Sequence, residues 1–219
     1  MTWIKICGMT NLEDALVAVD AGADAVGFVF HEKSPRCVTV ETAREIVGKL
    51  PESIEKVGVF VGGNSEGVAE TIRQCGLTIA QIYPRKSQAL NEFFRNFPFR
   101  VIPAISVGLI GQDEVVGFHL ASSEREKVVA ALIDSGNSER PGGTGEKFDW
   151  QRAAGLADQI GLKLVLAGGL KVENVGDAIE ILKPWGVDVA SGVEAQPRKK
   201  DPEKVRAFVR AVREADKSA

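Results

Sequence analysis

Short apolar runs alternate with stretches of helical periodicity along the whole chain. Runs rich in β-branched and aromatic residues lie at Ile4 to Cys7, Ala25 to Phe30, Lys56 to Val61 and Thr78 to Ile82. Four more follow at Arg100 to Val107, Val128 to Asp134, Lys163 to Ala167 and Val187 to Ala190, so the pattern predicts eight strands. Between them apolar residues recur at helical spacing: Leu12/Ala15/Leu16/Val19, Ala43/Ile46/Val47/Leu50, Val68/Ala69/Ile72/Cys75, Val175/Ala178/Ile179/Leu182 and Val205/Phe208/Val209/Val212. Each stripe is suited to packing one helix face on a sheet. Helix punctuation agrees with the stripes. Thr10 with Glu13 reads as a capping box, Gly22 and Gly76 fall where helices end, and Asp201-Pro202 reads as N-cap followed by first helical residue.

Strands that are apolar on both faces and alternate with helices predict a parallel sheet covered by helices. Eight such units over residues 1–219, with no linker or composition break, predict an α/β fold: a single-domain (βα)8 TIM barrel. A doubly wound open sheet would carry a G-x-G-x-x-G after its first strand. The nearest candidate, Gly143-Thr144-Gly145-Glu146-Lys147-Phe148, follows strand six and has Phe in the third glycine position. The stretch Gly108 to Glu126 leaves the fifth helix undefined.

Composition narrows the function classes. Hydrophobic residues make up 44% and charged residues 26% of the chain, which excludes a disordered polymer. A net charge of −3 gives no basic field for nucleic acid or an anionic membrane. No apolar run is long enough to span a bilayer, and the start Met1-Thr2-Trp3-Ile4-Lys5-Ile6-Cys7 lacks the features of a secretory leader, so a cytoplasmic protein is expected. Three cysteines without a C-x-x-C and two distant histidines, His31 and His119, predict neither a disulfide framework nor a histidine-rich metal site. A monomer acting on a small molecule, with no cofactor and no metal, is the expectation.

In a barrel the C-terminal ends of the strands face the active site. Cys7 ends strand one, Arg36 follows strand two, Tyr83 follows strand four and Asp134 ends strand six. Cys7 suits either a small buried hydrophobe or a thiol base. Asp134 suits an ion pair, a loop cap or an acid, and an acid working at neutral pH needs its proton affinity raised by burial. A thiol base facing a carboxylic acid would move a proton from carbon while protonating oxygen, which is isomerase chemistry. Arg36, in Ser34-Pro35-Arg36, offers a planar fork for a carboxylate or a solvated loop cation. Three turns, Gly143-Thr144-Gly145, Gly168-Gly169 and Ser191-Gly192, provide backbone N–H groups for a phosphate or simply make tight turns. Arg198-Lys199-Lys200 reads as a solvated loop, His31 as a polar loop residue, and His119, Cys37 and Cys75 as structural.

Several blocks together resemble the phosphoribosylanthranilate isomerase family of tryptophan synthesis. They are Lys5-Ile6-Cys7-Gly8-Met9-Thr10, Gly22-Ala23-Asp24-Ala25-Val26-Gly27-Phe28-Val29-Phe30, Ser34-Pro35-Arg36, Val57-Gly58-Val59-Phe60-Val61 and Gly142-Gly143-Thr144-Gly145 with Phe148-Asp149-Trp150. Ala167-Gly168-Gly169-Leu170 with Glu173-Asn174-Val175, and Val187-Asp188-Val189-Ala190-Ser191-Gly192-Val193-Glu194, complete the series in family order. The resemblance implies a (βα)8 barrel that converts an aminoaldose phosphate to a 1-amino-1-deoxyketose. It further implies Cys7 as general base, Asp134 as general acid, Arg36 on the anthranilate carboxylate, and the three glycine turns on the ribose phosphate. One block departs: where the family shows Gln-Leu-His-Gly, this chain has Gln81-Ile82-Tyr83-Pro84. The competing readings are a barrel that binds a phosphorylated ligand without turnover, and a related sugar-phosphate isomerase.

Overall fold

Alternation along the strands decides the architecture. In β1 (Trp3–Cys7), Ile4 and Ile6 face one way into a fully buried layer, while Lys5 and Cys7 face the other. The computed structural model describes residues 1–84, 93, 97–106, 125–134 and 161–218. It closes β1, β2 (Ala25–Val29), β3 (Glu55–Val61), β4 (Ile79–Tyr83), β5 (Arg100–Ser106), β6 (Ala131–Asp134), β7 (Leu164–Ala167) and β8 (Gly186–Val189) into a barrel. Every neighbouring pair is parallel, and β8 returns to β1 through the register Lys5 to Asp188. The expected TIM barrel is the observed one. Strand six begins later than predicted, because Val128 forms only an isolated bridge to Val101.

The described helices are α1 (Leu12–Ala21), α2 (Val40–Val47), α3 (Ser65–Cys75), α4 (Val175–Leu182) and α5 (Pro202–Ser218). Their apolar stripes bury against the outside of the barrel: Ala43 and Ile46, Val68 and Ile72, Val175 and Ala178, Val205 and Phe208. A separate interior layer, with Val57, Ile79, Ile102, Leu132 and Val165, fills the barrel below its C-terminal mouth. Helix α1 corrects two expectations. Its N-cap is Asn11, whose side chain accepts from the Asp14 N–H at 2.9 Å, whereas the Thr10 hydroxyl donates to the Arg198 carbonyl. That start turns Asp14, Ala15 and Ala18 inward and leaves Leu16 exposed. Gly22 and Gly76 do end their helices, and Asp201 Oδ1 accepts from the N–H groups of Glu203 and Lys204 at the start of α5.

The barrel is tied shut where the chain begins and α5 ends. The Asp216 carboxylate accepts from Thr2 N at 2.9 Å and from Thr2 Oγ1 at 2.6 Å. Arg213 donates to the Thr2 carbonyl and to Asp24 Oδ2, which also accepts from Ile4 N. At the same end Trp3 stacks on Trp185 at 5.2 Å. Burial works against the Asp216 charge, but the hydrogen bonds from Thr2 outweigh it and hold the carboxyl below its ordinary value.

A carboxyl held low stabilises the fold above the unfolded-state value and loses that contribution as pH falls through the depressed one. Asp216→Ala is therefore expected to lower unfolding free energy by about 1–3 kcal/mol in urea titrations at pH 7. The gap between parent and variant should shrink once the pH drops into the acid range where Asp216 is protonated.

Candidate active site

Cys7, at the C-terminal end of β1, lies in the wall of a pocket that opens at the barrel mouth. Its nearest charged neighbour is Lys5 on the same inward face, and Lys5 Nζ donates to Asp188 Oδ2 of β8 at 2.9 Å. The ammonium is fully buried and Asp188 nearly so. Burial would strip Lys5 of its proton, but Asp188, with a smaller part from Cys7, overrides it, so the ammonium stays charged. For Cys7 the balance runs the other way. Burial pushes the thiol above its ordinary value, and Lys5 works against that rise without cancelling it.

Gly27, which pairs with Cys7 across β2, makes the room for this arrangement. A Cβ there would stand 2.8 Å from Cys7 Sγ and 2.9 Å from Lys5 Cε, closer than real contacts permit. The glycine is a consequence of two long inward side chains on the adjacent strand.

Across the pocket, Asp134 ends β6 and is almost wholly buried. Tyr83 does not follow β4 but ends it, and its hydroxyl donates to Asp134 Oδ2 at 2.8 Å. Gln81 Nε2 stands 3.4 Å from the same hydroxyl oxygen. Burial first, then the facing Asp134, hold the phenol well above its ordinary value, so it keeps its proton and remains a donor.

Arg36 reaches the same mouth from the loop after β2. Its Nε and Nη2 grip both oxygens of Glu194 at 2.7 Å, a bidentate pair that leaves the end-on Nη1 edge without a partner among the described residues. Glu194 starts β9 (Glu194–Gln196), which pairs antiparallel with β10 (Lys199–Lys200). Lys200 Nζ also reaches Glu194, at 3.2 Å, and donates to the Ala190 carbonyl. The expected solvated loop at Arg198-Lys199-Lys200 is thus corrected. Lys200 is 1% exposed and its proton affinity is lowered by burial, while Lys199, partly exposed, pairs with Glu13 and Asp14, and Arg198 faces solvent. Gly8, at φ +84°, lets the Arg36 chain lie across the end of β1: a Cβ there would meet Arg36 Cδ at 2.5 Å.

Two of the three glycine turns are described. Gly168 and Gly169, both at positive φ, and Ser191 line the same pocket as Arg36. The Gly168 and Gly169 N–H groups donate to no protein acceptor among the described residues. Gly192 lies in the 3-10 turn Ser191–Val193 and packs against the Leu170 carbonyl, where a side chain would collide. Gly143, Thr144, Gly145 and His119 lie outside the described residues. His31, read from sequence as a polar loop residue, lines the pocket mouth. Cys37 is half-buried, and Cys75 is buried on the α3 stripe as expected.

The structure therefore gathers Cys7, Asp134, Arg36, Gly168, Gly169 and Ser191 at one mouth, with Lys5, Asp188, Gln81, Glu194 and Lys200 added to the list. The first two of these carried a sequence signal. A lysine between two isoleucines in β1 and an aspartate between two valines in β8 each put a charge on the inward side of an apolar strand.

Comparison with known proteins agrees with this geometry. The sequence model of the family described as N-(5'-phosphoribosyl)anthranilate isomerase matches residues 4–211. The N-(5'-phosphoribosyl)anthranilate isomerase of Pelobacter propionicus is 45% identical over 214 residues, covering 98% of this chain and 97% of its own. That of Citrifermentans bemidjiense is 45% identical over 219 residues, covering 100% and 99%. The crystal structure of phosphoribosyl anthranilate isomerase from Thermotoga maritima superposes with a TM-score of 0.84 at 38% identity, covering 98% of this chain and 100% of that one. A structure of such an isomerase in complex with reduced 1-(o-carboxyphenylamino)-1-deoxyribulose 5-phosphate gives 0.81 at 36%, with the same coverage.

The buried thiol makes a direct prediction. Alkylation of Cys7 by iodoacetamide, followed by mass spectrometry, should be slow at pH 7 and accelerate through a value above that of an ordinary cysteine. Replacing Lys5 by Met together with Asp188→Asn, so that no charge is left unpaired, should move that acceleration to still higher pH.

Proposed function

Since the chain belongs to the N-(5'-phosphoribosyl)anthranilate isomerase family, we propose that the mouth of this barrel carries out the family's reaction with Cys7 as general base and Asp134 as general acid. The protein is an isomerase of tryptophan biosynthesis acting on an aldose phosphate. The observation that carries the assignment of roles is the opposition of a thiol and a buried carboxyl across one pocket, with a cation at one side and bare backbone N–H groups at the other. The substrate has matching parts, a carboxylate on its aromatic ring and a phosphate on its sugar.

Each group has a task its surroundings suit. The Nη1 edge of Arg36 receives the anthranilate carboxylate, since Glu194 holds the rest of the guanidinium still. Gly168, Gly169, Ser191 and Gly192 hold the phosphate through main-chain N–H groups. Two buried acceptors, Gln81 Oε1 and Asp188 Oδ1, receive no hydrogen bond from the described residues, and the sugar hydroxyls are suitable donors for them.

With the substrate so held, Asp134 gives its proton to the furanose ring oxygen. The bond from that oxygen to the anomeric carbon breaks, and the nitrogen lone pair forms a cationic imine. Cys7 takes the proton from C2', and the electron pair left behind forms the enolamine. Tautomerisation moves a proton onto C1' and releases the one on the C2' oxygen, giving the ketone. Two protons are gained and two lost by the substrate, so no oxidant, reductant or metal is needed to balance the reaction. The imine cation has a second effect. Its positive charge near Cys7 favours the thiolate at the step that uses it, in the same sense as Lys5.

We further propose that the chain works in the cytosol as a monomer. Support comes from its surface: among the described residues the exposed large hydrophobics are Met1, Leu16 and Ile181, scattered over different elements, and no helix is long and apolar enough to cross a membrane.

Turnover is read from the loss of anthranilate fluorescence on freshly generated N-(5'-phosphoribosyl)anthranilate. Cys7→Ala and Asp134→Asn should each lower kcat by about 10²- to 10⁴-fold. Arg36→Met should act on binding instead, raising KM by about 10- to 100-fold with kcat nearly unchanged. Undiminished kcat in Cys7→Ala or Asp134→Asn would remove the role given to that residue.

A further inference from the structure

We infer that Tyr83 is a positioning residue for the acid step: its hydroxyl holds the Asp134 carboxyl in place and stabilises the carboxylate that proton transfer leaves behind. The inference rests on the assignment of Asp134 as general acid and goes beyond it, because Tyr83 stands where the sequence departs from the family block.

The geometry carries the argument. Tyr83 Oη is 2.8 Å from Asp134 Oδ2, and both residues are buried. A hydroxyl has one proton and two lone pairs. Gln81 Nε2, a donor only, approaches the oxygen at 3.4 Å and takes up a lone pair, which leaves the proton directed at Asp134. The acid therefore uses one lone pair of Oδ2 on Tyr83, and the proton for the substrate comes from elsewhere on the carboxyl. A short hydrogen bond from a neutral phenol to an ion in a dry site is among the stronger ones available to a side chain.

The charges around the phenol favour this role. Asp134 faces it from β6, Asp188 from β8 and Cys7 from β1, with Lys5 paired to Asp188 at 2.9 Å, while β3 and β5 present the apolar Val59, Ile102 and Ala104 to the same interior. Burial, then Asp134 and Asp188, all oppose a phenolate, so Tyr83 keeps its proton and remains a donor. A histidine in this position would change charge near neutral pH, and a tyrosine does not. The strand fixes the rest: Tyr83 is the last residue of β4, paired with Val61 of β3.

The test compares the parent chain with Tyr83→Phe, which keeps the ring and loses only the hydroxyl. Two readouts are taken. The first is kcat and KM across pH. The second is the Asp134 carboxyl titration, followed by ¹³C NMR on aspartate-labelled protein and assigned as the signal missing from Asp134→Asn.

Loss of a donor to a carboxylate raises its proton affinity. Tyr83→Phe should therefore move the Asp134 titration up by about one pH unit or more, and the limb of the pH profile that coincides with it should move the same way. Loosening the carboxyl should also lower kcat by about tenfold with KM within about twofold. An unmoved Asp134 titration overturns the inference even if kcat falls, since that would be a packing effect. An unchanged kcat overturns it as well. A parent chain without turnover overturns the functional reading on which the inference rests.

Discussion

One buried ion pair, Lys5 with Asp188, organises the catalytic end of this barrel. Two opposite charges sealed among apolar side chains are tolerated only together, and removing either partner from such a pair costs about 3–5 kcal/mol. The pair bridges β1 and β8, the strands that close the barrel, at the register where Lys5 lies opposite Asp188. Gly27 has no side chain because Lys5 and Cys7 occupy that space, and Cys7 keeps a nearby cation despite its burial. A device that closes the sheet thus also sets the surroundings of Cys7, the proposed base.

The rest of the mouth follows a similar rule, in which a side chain proposed to act on substrate is held by a neighbour on another element. Glu194 and Lys200 fix Arg36 from the hairpin after β8. Tyr83 fixes Asp134 from β4, two strands away in the barrel. These supports come from β1, β4, β8 and the β9–β10 hairpin, so closure of the barrel is what brings them together. Local segments alone would not hold the geometry, because Lys5 and Asp188 are distant in sequence and meet only across the β1–β8 pair.

Much of this was legible in the sequence. Short, nearly continuous apolar runs, period-3.6 helices and glycine stops predicted the barrel, and the rule that strand ends face the site pointed to Cys7, Arg36 and Asp134. Less legible were contacts set by side chains rather than by period. The start of α1 passed from Thr10 to Asn11 because Thr10 bonds instead to Arg198, a residue far along the chain. Lys200 looked like part of a solvated basic loop, yet the short β9–β10 hairpin turns it inward onto Glu194, which no local pattern announces. The charges of Lys5 and Asp188 were visible as polar residues inside apolar strands; their pairing was not, since it depends on the register between β1 and β8.

The proposed roles require the substrate to lie across the mouth from Arg36 to the glycine turns, with Cys7 and Asp134 on its two sides. A crystal structure of this chain with reduced 1-(o-carboxyphenylamino)-1-deoxyribulose 5-phosphate tests it most directly. The aromatic carboxylate is expected on Arg36 Nη1, the phosphate on the N–H groups of Gly168, Gly169 and Ser191, and Cys7 Sγ beside C2' with Asp134 near the oxygen on C4', the former ring oxygen. The reverse orientation, or a phosphate bound away from these turns, would contradict it.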